Sequence, residues 1–192
     1  MRFKEFYLTE MPMYTGSYDH ASNSAIHGRY QKAINNKKKF KEIKYDKYKI
    51  LKTTNYTKDS LEWFVFIDDE LVSNFSSELG LDKTYKFPQI TLALVSPDHR
   101  NKRIASDVYE YLLDYYGGVI SSKHLSEDGG KLLWKSLISK HHSYEYFPDN
   151  KVDKIKKINA IPEKGDSESR IIISKKELKW DSNNFTYKKV LM

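Results

Sequence analysis

Ile90-Thr91-Leu92-Ala93-Leu94-Val95-Ser96-Pro97-Asp98-His99-Arg100-Asn101-Lys102-Arg103-Ile104-Ala105 reads as an apolar strand, a short basic turn and the start of a helix. The first turn of a helix leaves backbone N–H groups without acceptors, and fixed positive charge beside them makes the place attractive to phosphate. The run from Pro88 to Val95 is almost continuously apolar, the pattern of a central strand covered on both faces.

Downstream of the turn, Ile104, Val108, Tyr111, Leu112 and Tyr115 recur at the three- and four-residue spacing of an amphipathic helix, which Gly117-Gly118 ends. Val119 to Ser122 is then a short strand. Ser126 caps a further helix with Leu132, Leu133, Leu137 and Ile138 on its apolar side around Trp134. Upstream, Tyr48 to Thr53 predicts a strand, and Leu61 to Ile67 with Glu70 to Phe75 predicts a hairpin about Asp68-Asp69. A loop covers 80–87. Past His141 the pattern loosens, with late strands at Ile171 to Ser174 and Phe185 to Leu191. A strand, crossover helix and strand imply a right-handed parallel pair, and ligands of such sheets sit at the carboxyl ends of the strands. The turn at 96–103 lies there.

Before this core, residues 1–45 read as an arm. Phe3, Phe6, Tyr7 and Leu8 form one helical turn, Met11 to Ser17 is turn-like, and Ala25 to Phe40 is helical with a weak apolar stripe. The expected organisation is an N-terminal arm over 1–45 and one domain over 46–192, with its core in 48–138 and a C-terminal extension.

Composition narrows the function. Among 192 residues, 39% are hydrophobic, enough for an ordinary core. No run approaches the roughly 18 apolar residues of a membrane span, and the first residues lack a signal-peptide apolar region, so the expectation is a cytoplasmic protein with no membrane partner. The absence of cysteine excludes thiol nucleophiles and thiolate metal sites. Adjacent His141-His142 have no carboxylate or thiolate company in the sequence, so no metal is expected. Net charge is +7, mostly lysine, and reads as a dispersed solvated surface with clusters at Lys37–Lys39 and across 151–157. Lys37–Lys39 beside Tyr30 and Phe40, or the lysine-rich tail, can contact nucleic-acid phosphates, although no nucleic-acid motif accompanies them.

The order of elements, with Val95-Ser96-Pro97 leading into Arg100-Asn101-Lys102-Arg103-Ile104-Ala105, resembles the GNAT superfamily of N-acetyltransferases, whose signature here is Gln/Arg-x-x-Gly-x-Gly/Ala. The segment from Gly118 to Trp134 also looks like that of acetyltransferase-like proteins encoded by bacteriophages, which would make the host cytoplasm or the virion its location. The resemblance covers roughly residues 48–138. It implies an α/β fold with a mixed, mostly antiparallel sheet, a central parallel strand pair and flanking helices. It implies acetyl-coenzyme A as cofactor, with Val95, Arg100, Asn101, Lys102, Arg103, Ile104 and Ala105 holding the pyrophosphate and the start of the pantetheine. The implied activity is acyl transfer to an amine on a small molecule or protein.

Arg103 stands where the signature has glycine, and Trp134 stands where family members carry a tyrosine acid. An indole N–H donates a hydrogen bond but does not protonate a thiolate. The strand Gln89 to Leu94 has no carboxylate to act as base, while Glu62 and Glu78 lie near it in sequence order. His99 titrates in the right range but sits in the cofactor loop. Ser121 and Ser122 end the strand that the family splays from the central one, and they are the remaining catalytic candidates. The alternative reading is a GNAT-like scaffold, of phage origin, that has lost catalysis and acts as a binding or structural protein.

Overall fold

A computed structural model describes residues 22–54, 60–78, 87–122, 125, 130–147, 154–162 and 169–178. The predicted turn at 11–17, the aromatic turn near Phe3 and the strand at Phe185 to Leu191 lie outside these residues. The described residues form a mixed α/β structure built on one nine-stranded sheet.

The chain opens with helix α1 (Ser22–Asn35), followed by strands β1 (Phe40–Tyr45), β2 (Tyr48–Thr53), β3 (Ser60–Ile67), β4 (Glu70–Glu78) and β5 (Gln89–Val95). Helix α2 (Ile104–Tyr116) leads to β6 (Gly118–Ile120). Then come α3 (Gly130–Lys140), β7 (His142–Phe147), β8 (Lys154–Lys157) and β9 (Arg170–Ser174). In space the strands run β1-β2-β3-β4-β5-β6-β9-β7-β8. Every neighbouring pair is antiparallel except β5 with β6. The expected parallel pair is therefore present, but it is a single register pair long, Gln89 opposite Ile120.

Residues 22–45, expected as part of an arm, join the sheet itself. Strand β1 pairs along its whole length with β2, and α1 packs on the sheet through Ile26 and Ala33. The reason is burial: Tyr30 and Phe40 lie against Phe64, with ring centroids 5.1 and 6.0 Å away. Helices α2 and α3 cover the opposite face, where Val108, Leu112, Trp134, Leu137 and Ile138 meet Ile50, Trp63, Phe75 and Ile173.

Two local devices shape the centre. The turn between β3 and β4 is Asp68-Asp69, both at positive φ (47° and 64°), the twist that a two-residue hairpin needs. In β4 and β5, Ser76 pairs with Leu92 but Ser77 pairs with Ile90, so Thr91 is one residue too many. Such a bulge bends its strand and flips the side-chain alternation. Ile90 accordingly joins the core under α2, whereas Leu94 packs toward α1 on the other face.

Candidate functional site: the gap between β5 and β6 and the turn into α2

Beyond Gln89, β5 and β6 part. Ile120 N–H donates to Pro88 O at 3.0 Å, and the next residue, Ser121, gives its N–H to Ile171 O at 2.8 Å. Strand β6 thus follows β9 while β5 bends away at Thr91. On the β4 side, Ser96 N–H reaches Val72 O (2.8 Å) and the Ser73 hydroxyl reaches Leu94 O (2.6 Å). Strand alternation then turns the backbone polar groups of Ala93 and Val95 toward the gap. Among the described residues no ladder partner meets them there. The prediction of a strand covered on both faces needs correcting accordingly: Thr91 and Ala93 are exposed, and Leu92, Leu94 and Val95 are only half-buried. An apolar run forecasts burial, but here the bend removes the neighbour that would supply it.

The gap leads to the basic turn. Pro97–His99 forms a short 3-10 turn, closed by Arg100 N–H on Pro97 O at 3.2 Å. Asn101 and Arg103 follow at φ 61° and 63°, both left-handed. Arg103 therefore holds a backbone shape that glycine adopts freely, at about 1–2 kcal/mol of local cost for a residue with a Cβ. Its side chain does not cap the helix. The first intrahelical bond is Asp107 N–H to Arg103 O at 2.9 Å, which leaves the N–H groups of Ile104, Ala105 and Ser106 without a helical acceptor. Arg100, Asn101, Lys102 and Arg103 are exposed around them, while Ile104 is buried and anchors the turn to the core.

Asp107 is the one acidic side chain in the first turn of α2, and it is occupied: the Tyr48 hydroxyl donates to its Oδ2 at 2.7 Å. Burial, then this hydrogen bond, pushes the Tyr48 phenol above its usual range, and the Arg103 charge opposes the shift. The residues present fit a diphosphate: free amides, three cations and an engaged carboxylate.

The proposed catalytic side chains are less well placed. The Ser121 hydroxyl accepts the Ile171 N–H at 2.9 Å and is 1% exposed, so it serves strand pairing. Ser122 follows it, half-buried. His99 faces the β3–β4 turn, with Nε2 3.8 Å from Glu70 Oε2 and a buried Nδ1 that has no hydrogen-bond partner. Glu62 lies on the α1 side of the sheet, where Lys38 Nζ donates to it at 2.6 Å and Arg29 is 3.9 Å away. Glu78 is exposed at the end of β4, in register with Gln89, where the parallel pair is made.

Trp134 is 2% exposed, its ring 5.5 Å from that of Tyr109, and it donates a hydrogen bond to the Tyr109 hydroxyl. Burial nevertheless leaves that phenol well above its usual range. Trp134 is thus a core residue rather than a group aimed at a cofactor. His141 Nε2 lies 2.9 Å from Glu110 Oε1, and among the described residues no three His, Asp or Glu side chains converge on a metal-sized site. Among the same residues, no helix is long and apolar enough to cross a membrane.

Two elements of the candidate site left no mark in the sequence. One is the bulge at Thr91, since register with a partner strand leaves no mark in a single strand's composition. The other is the left-handed pair Asn101 and Arg103; asparagine signals that conformation, arginine does not.

No protein-family model matches this chain, and no curated protein matches it. Among solved structures, it is similar to an acetyltransferase from Thermus thermophilus, with a TM-score of 0.40 and 12% identity over 62% of this chain and 66% of that one. It is also similar to a protein of unknown function from Aquifex aeolicus, with a TM-score of 0.37 and 15% identity over 86% of this chain and 82% of that one. Likenesses at this level carry no argument about chemistry.

Proposed function

We propose that this protein is an acyl-coenzyme A-dependent N-acyltransferase with a GNAT-like fold, acting on an amine of a small molecule or protein. The observation that carries the reading is the gap between β5 and β6, one side of it a strand edge unpaired among the described residues, opening onto the left-handed turn and the amides without helical acceptors at the start of α2. A diphosphate suits the amides of Ile104 to Ser106 with Arg100, Lys102 and Arg103 around it. An extended amide-bearing chain suits the edge of β5, because Ala93 and Val95 offer it the hydrogen bonds that a neighbouring strand would make. From Val95 to Gln89 is about 20 Å at a strand's rise, room for such an arm to reach the bulge.

Bound acetyl-coenzyme A would supply the activated acyl group. What the chain's own residues contribute is binding and orientation. With Glu62 held by two cations and Trp134 packed in the core, rate would come mainly from holding the reactants together.

Calorimetry with acetyl-coenzyme A is the test. Binding is expected, and Arg100→Glu should weaken it at least tenfold by setting like charge against the diphosphate, about 1.4 kcal/mol or more. No binding at millimolar cofactor would refute the reading, and an unchanged affinity in the variant would refute the role of the loop. Binding without acyl transfer to any amine in a broad acceptor panel would favour the second reading, a scaffold that has kept the cofactor cleft and lost catalysis.

A further inference from the structure

The positive charge of this protein is less dispersed than its lysine count suggests. Residues 22–54 carry ten Lys or Arg against two Asp or Glu, a net +8, and the remainder of the chain nets −1. That segment is α1, β1 and β2, so the whole excess lies on the β1–β2 edge of the sheet and on α1, which crosses the sheet face over β4 and β5.

Three of the ten cations face two carboxylates. Arg29 and Lys38 face Glu62, and Lys49 pairs with Asp69. Lys52 is buried, with its ammonium 4.6 Å from the Tyr115 ring centre. The other six, Lys32, Lys37, Lys39, Lys41, Lys44 and Lys47, are exposed and pair with no carboxylate among the described residues. Among the described residues strand β1 has a partner on one side only, and the lysines along its outer edge are exposed.

We propose that this ridge binds the phosphate backbone of a nucleic-acid duplex without regard to sequence. The chemistry of the ridge selects that partner. It offers one large exposed apolar side chain, Ile34, where a protein partner would need a buried apolar centre with aromatic anchors. It offers no stacking platform for single strands, because Tyr30 and Phe40 are 6.1 Å apart and packed with Phe64 and Phe66. What it does offer is lysine charge along β1, about 20 Å long, and in the turns at its two ends, with Lys32 in the last turn of α1. A duplex presents roughly a dozen phosphates over that length, enough to engage all six lysines.

The test is fluorescence anisotropy with a labelled mixed-sequence 20-base-pair duplex across 50–200 mM salt. Six phosphate contacts predict a slope of log K against log salt of about −5. Lys39→Gln, Lys41→Gln and Lys44→Gln together should reduce that slope by about 3 and weaken binding roughly tenfold or more. Replacing the same three by arginine should retain binding. Removing equal charge elsewhere, with Lys135→Gln, Lys140→Gln and Lys176→Gln, should change affinity less than about twofold if binding is through the ridge. No binding at low salt, or equal losses in the two glutamine triples, would overturn the proposal. So would tighter binding to polyglutamate or to phosphatidylserine vesicles in the same buffer. Displacement of the duplex by saturating acetyl-coenzyme A would also overturn it, by assigning the contact to the turn before α2.

Discussion

Adding one methyl group at Gly118 tests how the gap is held open. Gly118 begins β6 opposite Ser174 and does not have the positive φ that would require glycine. What it needs is space: a Cβ there would stand 2.3, 2.4 and 2.7 Å from three ring carbons of Phe87. Ordinary carbon contacts are about 3.5–4.0 Å, so the ring must retreat by more than about 1 Å. It has little room to do so, being 3% exposed and packed with Ile120, Tyr144, Tyr146, Ile172 and Leu178. Overpacking of this kind costs about 1–3 kcal/mol, and in a chain of this size each kcal/mol lowers Tm by about 2–4 °C. Gly118→Ala should therefore melt about 3–10 °C below the parent by scanning fluorimetry. The strain falls on the pivot of the gap, since Phe87 precedes Pro88, whose carbonyl takes the Ile120 N–H. Acetyl-coenzyme A affinity should fall with it, and trimming the ring with Phe87→Leu should restore part of both. A Gly118→Ala protein melting within a degree of the parent would refute the packing argument.

Arg103→Gly should separate shape from charge: relief of the left-handed cost is offset by glycine's greater freedom in the unfolded chain, giving a Tm unchanged or up by about 3 °C, while loss of the cation weakens acetyl-coenzyme A binding. Arg103→Val, with a β-branched side chain in the same conformation, should be clearly less stable; equal melting of the two variants would contradict the assigned backbone. Stability should also fall in alkali. Burial pushes the Tyr111 phenol up to about 12 and raises Tyr48 and Tyr109 as well. The unfolded phenols release protons near 10 while the folded ones hold them, so the contributions are complete below pH 10; that of Tyr111 is lost between about 10 and 12, and those of Tyr48 and Tyr109 decline from 10 upward. Urea midpoints from pH 8 to 11 measure this, and Tyr111→Phe should flatten the decline.

Much of the centre was legible because its apolar residues keep a clean period. The β3–β4 hairpin about Asp68-Asp69, helix α2 with its stop at Gly117, and β9 follow from pattern and turn chemistry alone. Strand β1 was missed because an edge strand needs little apolar surface: Lys41, Glu42 and Lys44 are exposed, and its neighbour β2 supplies the burial. Strand β7 was missed for the opposite reason. Ser143 and Glu145 are buried in it, polar residues at positions that a pattern reads as solvent-facing, and Ser143 finds a local acceptor in His141 O at 3.0 Å. At the site, the basic turn and the helix start were legible. The bulge at Thr91 was not, because it is a property of two strands, and the core role of Trp134 depends on Tyr109 from another helix.

The position of β9 bears on how the chain reaches its final state. Residues 170–174 lie between β6 and β7, pairing with both, although both precede them in the chain. Until β9 arrives, β6 and β7 each present an open edge, the kind of surface on which chains associate wrongly. The contacts that close the sheet span some fifty residues on one side, and such non-local pairing is formed late because loop closure must come first. During synthesis, strands β1 to β5 can assemble as a meander of neighbours, but the half carrying β6 and β7 must wait for the β9 segment to emerge. Truncations or pauses before residue 170 therefore leave an aggregation-prone intermediate rather than a smaller stable domain.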